Sequence, residues 1–422
     1  MTTTPDRVEL RTAPDRGQRL RLIVILGSMI ALGPLTIDMY LPALPTITTD
    51  LLTTSAAVQL TLTGTLLGLA LGQLVIGPLS DALGRKRPLI AGTALHVVSS
   101  LLCAVAPNIA VLGALRVLQG MGAAAGAVIA MAIVRDLYTG RPAATLISRL
   151  ILVMGAAPVI APTLGGELLR FTSWRGVFVA LAAIGVVLIP VALVGLRETL
   201  PPERRRTAGV RGTLRDYGAL FGDRTFVGLV VVAGLAMSAL LGYVSGSSFV
   251  FQDQFGLDQQ QFGLVFGSGA IFLILATQLN PVLLRRFEPR QILLAAVAAG
   301  AGAGVLLVLI AATGFAGIVG VLGAMWLVLF CTGLALPNAP AVALSRHGET
   351  AGTAAALLGA VQFGIGAVIS PVVGLLGNDA LAMGAVVVGG MVLALVVLVT
   401  VVRPWTLADV AYEPPGTAGT PA

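Results

Sequence analysis

Charge is scarce in this sequence. Only 11% of its 422 residues are Asp, Glu, Lys or Arg, against about 25% in an ordinary water-soluble domain. So few charges cannot clothe a soluble protein of this length, and a disordered chain would be polar rather than apolar. Cysteine is nearly absent too. Cys103 and Cys331 lie far apart inside apolar runs, which excludes a disulfide framework and any metal-binding spacing. Two histidines give no zinc pattern. There is no Walker-type loop to hold ATP and no nucleophile elbow, so neither an ATP motor nor a hydrolase has its parts. No metal or cofactor is expected.

What is abundant is apolar sequence: 57% of residues are hydrophobic and the mean hydropathy is +0.96. A membrane-spanning helix takes about 20 apolar residues, so a dozen would use about 240 and leave only short loops. Runs of that length recur between polar punctuation, predicting spans over 21–42, 57–79, 88–106, 109–134, 143–168, 174–196, 225–250, 261–284, 290–312, 316–338, 351–376 and 380–402. The first apolar run follows Arg16, Arg19 and Arg21 and lacks a small-residue cleavage site, so it reads as a permanent span.

Arginine and lysine set the orientation. With the N-terminus inside, all but three of the 26 basic residues fall in cytoplasmic segments. The exceptions are Arg170 and Arg175 outside and Arg116 within a span. The lopsided distribution predicts an even number of spans with both termini cytoplasmic. The net charge of +7 is thereby absorbed by topology, and no nucleic-acid partner is expected.

The longest hydrophilic stretch between spans runs from Arg197 to Asp223 and divides the spans six and six. Gly77-Pro78 closes span two and Asn280-Pro281 closes span eight, about 200 residues on, each followed by a basic loop. Parallel six-span halves facing a central cavity are a transporter plan. The expected organisation is a tail at 1–20, a six-helix half at 21–196, a central loop at 197–224, a second half at 225–402 and a tail at 403–422.

Polar residues inside spans are the functional candidates, because each is costly in hydrocarbon. Asp38 is the clearest acid within the apolar body of a span, roughly 24 Å along from Leu22 at 1.5 Å per residue. In span four, Arg116, Gln119 and Gly120 share one helical face. A low dielectric would favour the neutral form of Asp38 and a guanidinium nearby its charged form, opposed pushes that suit a group taking and releasing protons. Tyr40, Gln119, Ser245, Phe249, Gln252, Asn338 and Gln362 are candidates for a substrate cavity. Spans seven to twelve show no interior carboxylate. His96 reads as a packing residue.

Four motifs carry a resemblance. The loop Gly77-Pro78-Leu79-Ser80-Asp81-Ala82-Leu83-Gly84-Arg85-Lys86-Arg87 resembles the major facilitator superfamily signature G-x-L-x-D-[RK]-x-G-[RK]-[RK], with Ala82 where a basic residue is usual. Gly77 would permit close helix approach and Gly84 a tight turn. Arg116-Val117-Leu118-Gln119-Gly120 resembles the R-x-x-Q-G element of span four. Ala161-Pro162-Thr163-Leu164-Gly165-Gly166, with Pro158 and Gly155 before it, resembles the antiporter element G-P-x-x-G-G. Trp174-Arg175-Gly176-Val177-Phe178 is similar to W-R-x-x-F. The stretches Ile37–Pro45 and Phe249–Gly263 resemble the Bcr/CflA drug-resistance branch.

The resemblance implies an all-α, twelve-span major facilitator fold in the bacterial cytoplasmic membrane. It implies a monomer, driven by the proton gradient, that exports small amphipathic drugs of the chloramphenicol, bicyclomycin or sulphonamide kind. It implies that Asp38 and Arg116 couple to protons. Gly77, Asp81, Gly84, Arg85, Arg135 and Asp136 would latch the two halves on the cytoplasmic side, and Pro158, Pro162, Gly165 and Gly166 would mark exchange rather than symport. A dedicated metabolite exporter and a proton-coupled nutrient importer stay open on the same fold. A receptor would usually carry a soluble output domain, which this sequence lacks.

Overall fold

Each apolar run becomes a helix, and a polar residue at its head decides where it begins. In the computed structural model, residues 16–138, 140–205, 218–345 and 351–406 are described. Thr54 accepts the amide of Ala57 at 3.2 Å and Asn108 that of Val111 at 2.9 Å. Asp258 and Gln261 form a reciprocal capping box, and so do Glu288 and Gln291. Such side chains satisfy amides that a helix start leaves unpaired.

The helices are α1 (Arg16–Asp38), a short α2 (Leu44–Asp50), α3 (Ser55–Leu83), α4 (Lys86–Ala104), α5 (Ile109–Leu137), α6 (Gly140–Leu169) and α7 (Trp174–Gly195). After the central loop come α8 (Arg224–Ser248), α9 (Gln259–Leu283), α10 (Pro289–Thr313), α11 (Gly317–Leu344), α12 (Ala351–Leu376) and α13 (Ala380–Val397). Among the described residues, twelve helical segments are long and apolar enough to cross a membrane. They form two six-helix halves, α1–α7 and α8–α13.

Two details differ from the pattern read in the sequence. The first span is followed by a 3-10 turn at Leu41–Ala43 and by α2, because Pro42 and Pro45 each sit at the first turn of a new helical piece, where a missing amide costs nothing. Span ten was expected to end at 338, but α11 continues through Pro337 and Pro340 to Leu344. Asn338 holds it there by donating to Asn280 Oδ1 at 2.6 Å and to Leu334 O at 2.7 Å. Most of both expected tails lies outside the described residues, as do Arg206, Arg211, Arg215 and Arg346.

The basic loops gather at one end of the bundle, here the basic end; the other is the far end. Small residues bring helices together within each half. A Cβ on Gly68 would lie 2.0 Å from Val117 O, and one on Gly120 would lie 2.2 Å from Thr65 O. So α3 and α5 cross with their backbones in contact, as membrane helices do at small side chains. At Gly77, by contrast, nothing lies within 4 Å of such a Cβ. The close approach expected there belongs to Gly68 and Gly120 instead.

The halves meet along α3 with α12 and α6 with α9. One apolar core takes in the first half and the far end of the second; the basic end of the second half has a separate core around Phe226, Val297, Ala339 and Leu398. Hydrogen bonds between halves cluster toward the far end. Gln59 Nε2 donates to Ser245 O at 3.1 Å and to Asn378 Oδ1 at 2.7 Å, and Thr63 donates to Ala367 O at 2.9 Å. Gln260 donates to Gly166 O at 3.0 Å, and the Ser248 hydroxyl donates to Leu41 O. Among the described residues, no hydrogen bond or ion pair joins the halves at the basic end. Among the described residues, the polar contacts that join the halves therefore gather at the far end.

Candidate functional site

Asp38 is the last residue of α1, where the chain turns into the Pro42 corner, whose 3-10 turn lies against α8 and α9 of the second half. It is 4% exposed. Among the described residues its carboxylate has no hydrogen-bond or ion-pair partner. It lies within electrostatic reach of Tyr243 on α8, whose ring stacks on Phe266 at 4.9 Å and whose hydroxyl donates to Phe266 O at 3.3 Å. The acid thus sits where the two halves touch.

Arg116 is fully buried in the first half. Its Nη1 donates to Thr36 O at 3.0 Å and to Gln119 Oε1 at 2.7 Å. Gln119 Nε2 in turn donates to Ser100 Oγ at 2.7 Å, and Ser100 Oγ to His96 O at 2.7 Å. The guanidinium lies 4.5 Å from the ring centre of Tyr40 and 5.6 Å from that of Phe178. Aromatic faces attract a desolvated cation, and they replace part of what hydration would supply. Nε and Nη2, one whole edge of the fork, have no acceptor.

The structure does not bring Asp38 and Arg116 into an ion pair, against the sequence expectation. The arginine instead holds the backbone of α1 at Thr36, two residues before the acid. A carbonyl freed by the turn of a neighbouring helix competes well for a buried donor, and its availability has no signature in sequence.

His96 is less fully satisfied than a packing residue would be. The Thr36 hydroxyl donates to Leu32 O at 2.6 Å and lies 2.8 Å from His96 Nε2. With its one proton committed to Leu32, Thr36 can only accept from Nε2–H. Nδ1 is then the bare acceptor, buried and without a partner.

The substrate-cavity candidates are dispersed. Tyr40 is buried and shares a hydrogen bond of 2.9 Å with Thr61. Gln119 belongs to the arginine network, and Asn338 pairs with Asn280 toward the basic end of the second half. Ser245 and Phe249 are buried in the wall between the halves. Gln252 and Gln362 are half-buried, and Nε2 of Gln252 has no partner. Gln59 and Tyr243 were not foreseen, since nothing in their neighbours along the chain marks them as bridging residues.

At the basic end, Arg85 Nη1 meets Asp81 Oδ1 at 2.5 Å and Arg85 Nε meets Asp136 Oδ2 at 2.8 Å. Burial of Arg85 works against its charge, but the hydrogen bonds it donates to Asp136 and Asp81 outweigh it and raise its pKa above the ordinary value. Glu198, just past α7, accepts the amides of Arg85, Lys86, Thr199 and Leu200. Partial burial would raise its pKa, and these backbone bonds reverse the effect and lower it. Gly84 has φ of +88°, and a Cβ there would lie 2.6 Å from Glu198 Oε2, so the expected turn glycine also makes room for this carboxylate. Arg135 is exposed and stands apart from the cluster. All members belong to the first half and the start of the central loop. In this conformation the cluster ties one half together, not the two halves to each other as the resemblance implied.

A family model described as Major Facilitator Superfamily matches residues 26–371. The chain belongs to this superfamily. It is 37% identical over 380 residues to a protein of Bacillus subtilis (strain 168) named "Uncharacterized MFS-type transporter YdgK", covering 88% of this chain and 93% of that one. It is 30% identical over 374 residues to a "Bicyclomycin resistance protein homolog" of Haemophilus influenzae, covering 87% and 93%. Among solved structures, a D-xylose–proton symporter superposes with a TM-score of 0.72 at 15% identity, covering 91% of this chain and 97% of the symporter. That likeness shows the fold alone.

This facilitator is a multi-pass membrane transporter and not an enzyme. Its α6 carries the element around Pro158, Pro162, Gly165 and Gly166. A Cβ on Gly165 would lie 2.2 Å from Met39 O, and one on Gly166 would lie 2.6 Å from Gln259 O. Two adjacent glycines therefore let α6 wedge between the end of α1 and the start of α9 in the other half. A helix so placed feels any change in how the halves lean on each other.

Proposed function

We propose that this facilitator is a proton-coupled exporter of small amphipathic drugs, working by alternating access across the bacterial cytoplasmic membrane as a monomer with both termini inside. The observation that carries the reading is Asp38: an acid buried without a partner where the two halves touch. A carboxylate so placed changes its protonation as its surroundings change. The bond from Ser248 to Leu41 O lies just beyond it, so parting the halves at the far end would wet the acid.

In the proposed cycle the present conformation, with its halves joined at the far end, faces the cytoplasm and takes up drug. Rocking opens the far end, where Asp38 receives a proton and drug departs. The unoccupied Nε–Nη2 edge of Arg116 is a two-donor fork matched to a carboxylate. We assign to it the deprotonated Asp38 in the outward conformation. Arg116 then steers α1 through Thr36 in one state and through the acid in the other. Proton and drug oppose each other by linkage. The family element in α6 and the bicyclomycin-resistance relative favour drug export over nutrient import.

The test is Asp38→Asn in everted membrane vesicles. Wild-type protein should dissipate an inside-acid gradient when chloramphenicol or another amphipathic drug is added. The variant should bind drug and unfold at the wild-type temperature but leave the gradient intact. Full gradient-driven transport by the variant would remove Asp38 from the coupling.

A further inference from the structure

Beyond the transport path, a cavity of about 320 Å³ opens at the basic end between the start of α1, the end of α5 and the start of α6. Its walls include Arg19, Arg149 and Tyr138 on the polar side and Leu20, Ile23 and Leu146 on the apolar side. Among the described residues no carboxylate lines it. Neither arginine has an ion pair among the described residues, and Arg19 Nε is buried with no hydrogen-bond acceptor. Two cations facing one cavity repel each other, and an unsatisfied buried donor is costly. An anion between them would remove both costs.

The surroundings say what kind of anion. Leu20 and Val24 are one turn apart on α1 and 61% and 58% exposed, and Leu152, three residues past Arg149 on α6, is 46% exposed. An apolar surface thus leads away from the charged cavity toward the middle of the bundle. A small soluble anion has no use for it, whereas an acyl chain does. We propose that this cavity binds the headgroup of an anionic phospholipid, its phosphate between Arg19 and Arg149 and an acyl chain along Leu20 and Val24. Basic pockets between membrane helices bind lipid headgroups in this way.

The full-length protein in neutral detergent, titrated with phosphatidylglycerol or phosphatidylcholine and read by native mass spectrometry, tests the site. Wild-type protein should prefer phosphatidylglycerol. Arg19→Gln with Arg149→Gln should weaken that lipid by about thirtyfold, at the usual contribution of each basic residue near a lipid surface. The paired lysine variant should keep most of the affinity, and Arg170→Gln at the far end should change nothing. If the paired glutamine variant does not fold, Arg149→Gln alone should cost about fivefold. Equal binding by wild type and the glutamine variants would overturn the proposal, as would equal binding of the two lipids. Displacement of phosphatidylglycerol by inorganic phosphate at matching concentration would assign the cavity to a soluble anion and overturn the lipid.

Discussion

Glu198 closes the start of α4 by accepting two successive amides, that of Arg85 at 2.8 Å and that of Lys86 at 3.1 Å. One carboxylate from the end of the sixth span thereby fixes the loop between the second and third. The same loop holds Arg85 against Asp136 at the end of the fourth. Three connections at the basic end of the first half are joined at one point, and the charge of Glu198 is part of the joint.

That charge gives the joint a pH dependence. The backbone bonds lower the pKa of Glu198 in the folded protein. A carboxyl with a lowered folded pKa contributes stability that is complete above its unfolded value, about 4.5, and that is lost as pH falls through the folded value. Glu198→Gln should therefore lower the thermal unfolding temperature at neutral pH. The gap to wild type should close in acid below that range. Unfolding scans of purified protein at a series of pH values check this, and a gap that stays constant into acid would show that the charge is irrelevant.

A second prediction separates the two jobs of Tyr40. Its hydroxyl pairs with Thr61, while its ring lies under the Arg116 guanidinium. Tyr40→Phe removes only the hydrogen bond and should cost about 1 kcal/mol. Tyr40→Leu also removes the aromatic face from a desolvated cation and should cost about 2 kcal/mol more. A double-mutant cycle with Arg116→Gln should show coupling for the leucine variant and almost none for phenylalanine. Equal coupling in both would place the interaction in the hydroxyl.

The sequence made the frame legible for physical reasons that also mark its limits. Twelve apolar runs and one-sided arginines specify spans because hydrocarbon excludes unpaired backbone and charge wherever they occur. Arg116 with Gln119 was readable because helix geometry places residues three apart on one face. The acceptor at Thr36 was not, since it is a backbone carbonyl presented by another helix. Glu198 escaped notice for the same reason: its partners are amides, which every residue has. Asp38 stood out as an isolated acid, yet its neighbour Tyr243 comes from α8, and only the meeting of the halves puts them together.

A third prediction contrasts two glycines of α3. At Gly68 a Cβ would lie 2.0 Å from Val117 O, and backbone cannot move aside as a side chain can. Gly68→Ala should destabilise the first half by about 1–3 kcal/mol through overpacking. Gly77, in the loop signature, has open space around it, so Gly77→Ala should be within about 0.5 kcal/mol of wild type. Thermal unfolding in detergent measures both. Comparable losses would mean that Gly77 packs closely in a second conformation, which transport assays of the alanine variant would then reveal.

The last prediction concerns the seal. A Cβ on Gly374 of α12 would lie 3.1 Å from the Cβ of Ala56 on α3, but also 2.8 Å from Ala56 Cα and 2.3 Å from Gln59 Oε1, so the helices must part by about half an ångström and the Gln59 side chain must turn aside before the β-carbons reach the roughly 3.5–4.5 Å of a disulfide. With Cys103 and Cys331 replaced by alanine, Ala56→Cys and Gly374→Cys should cross-link on mild oxidation. The link lies beside Gln59, which already ties α3 to Ser245 and Asn378. Oxidation should therefore hold the far end shut and stop transport while leaving access from the basic end. Reduction should restore transport. If the linked protein keeps transporting, the far-end contacts do not part during the cycle, and alternation must run through some other pair of surfaces.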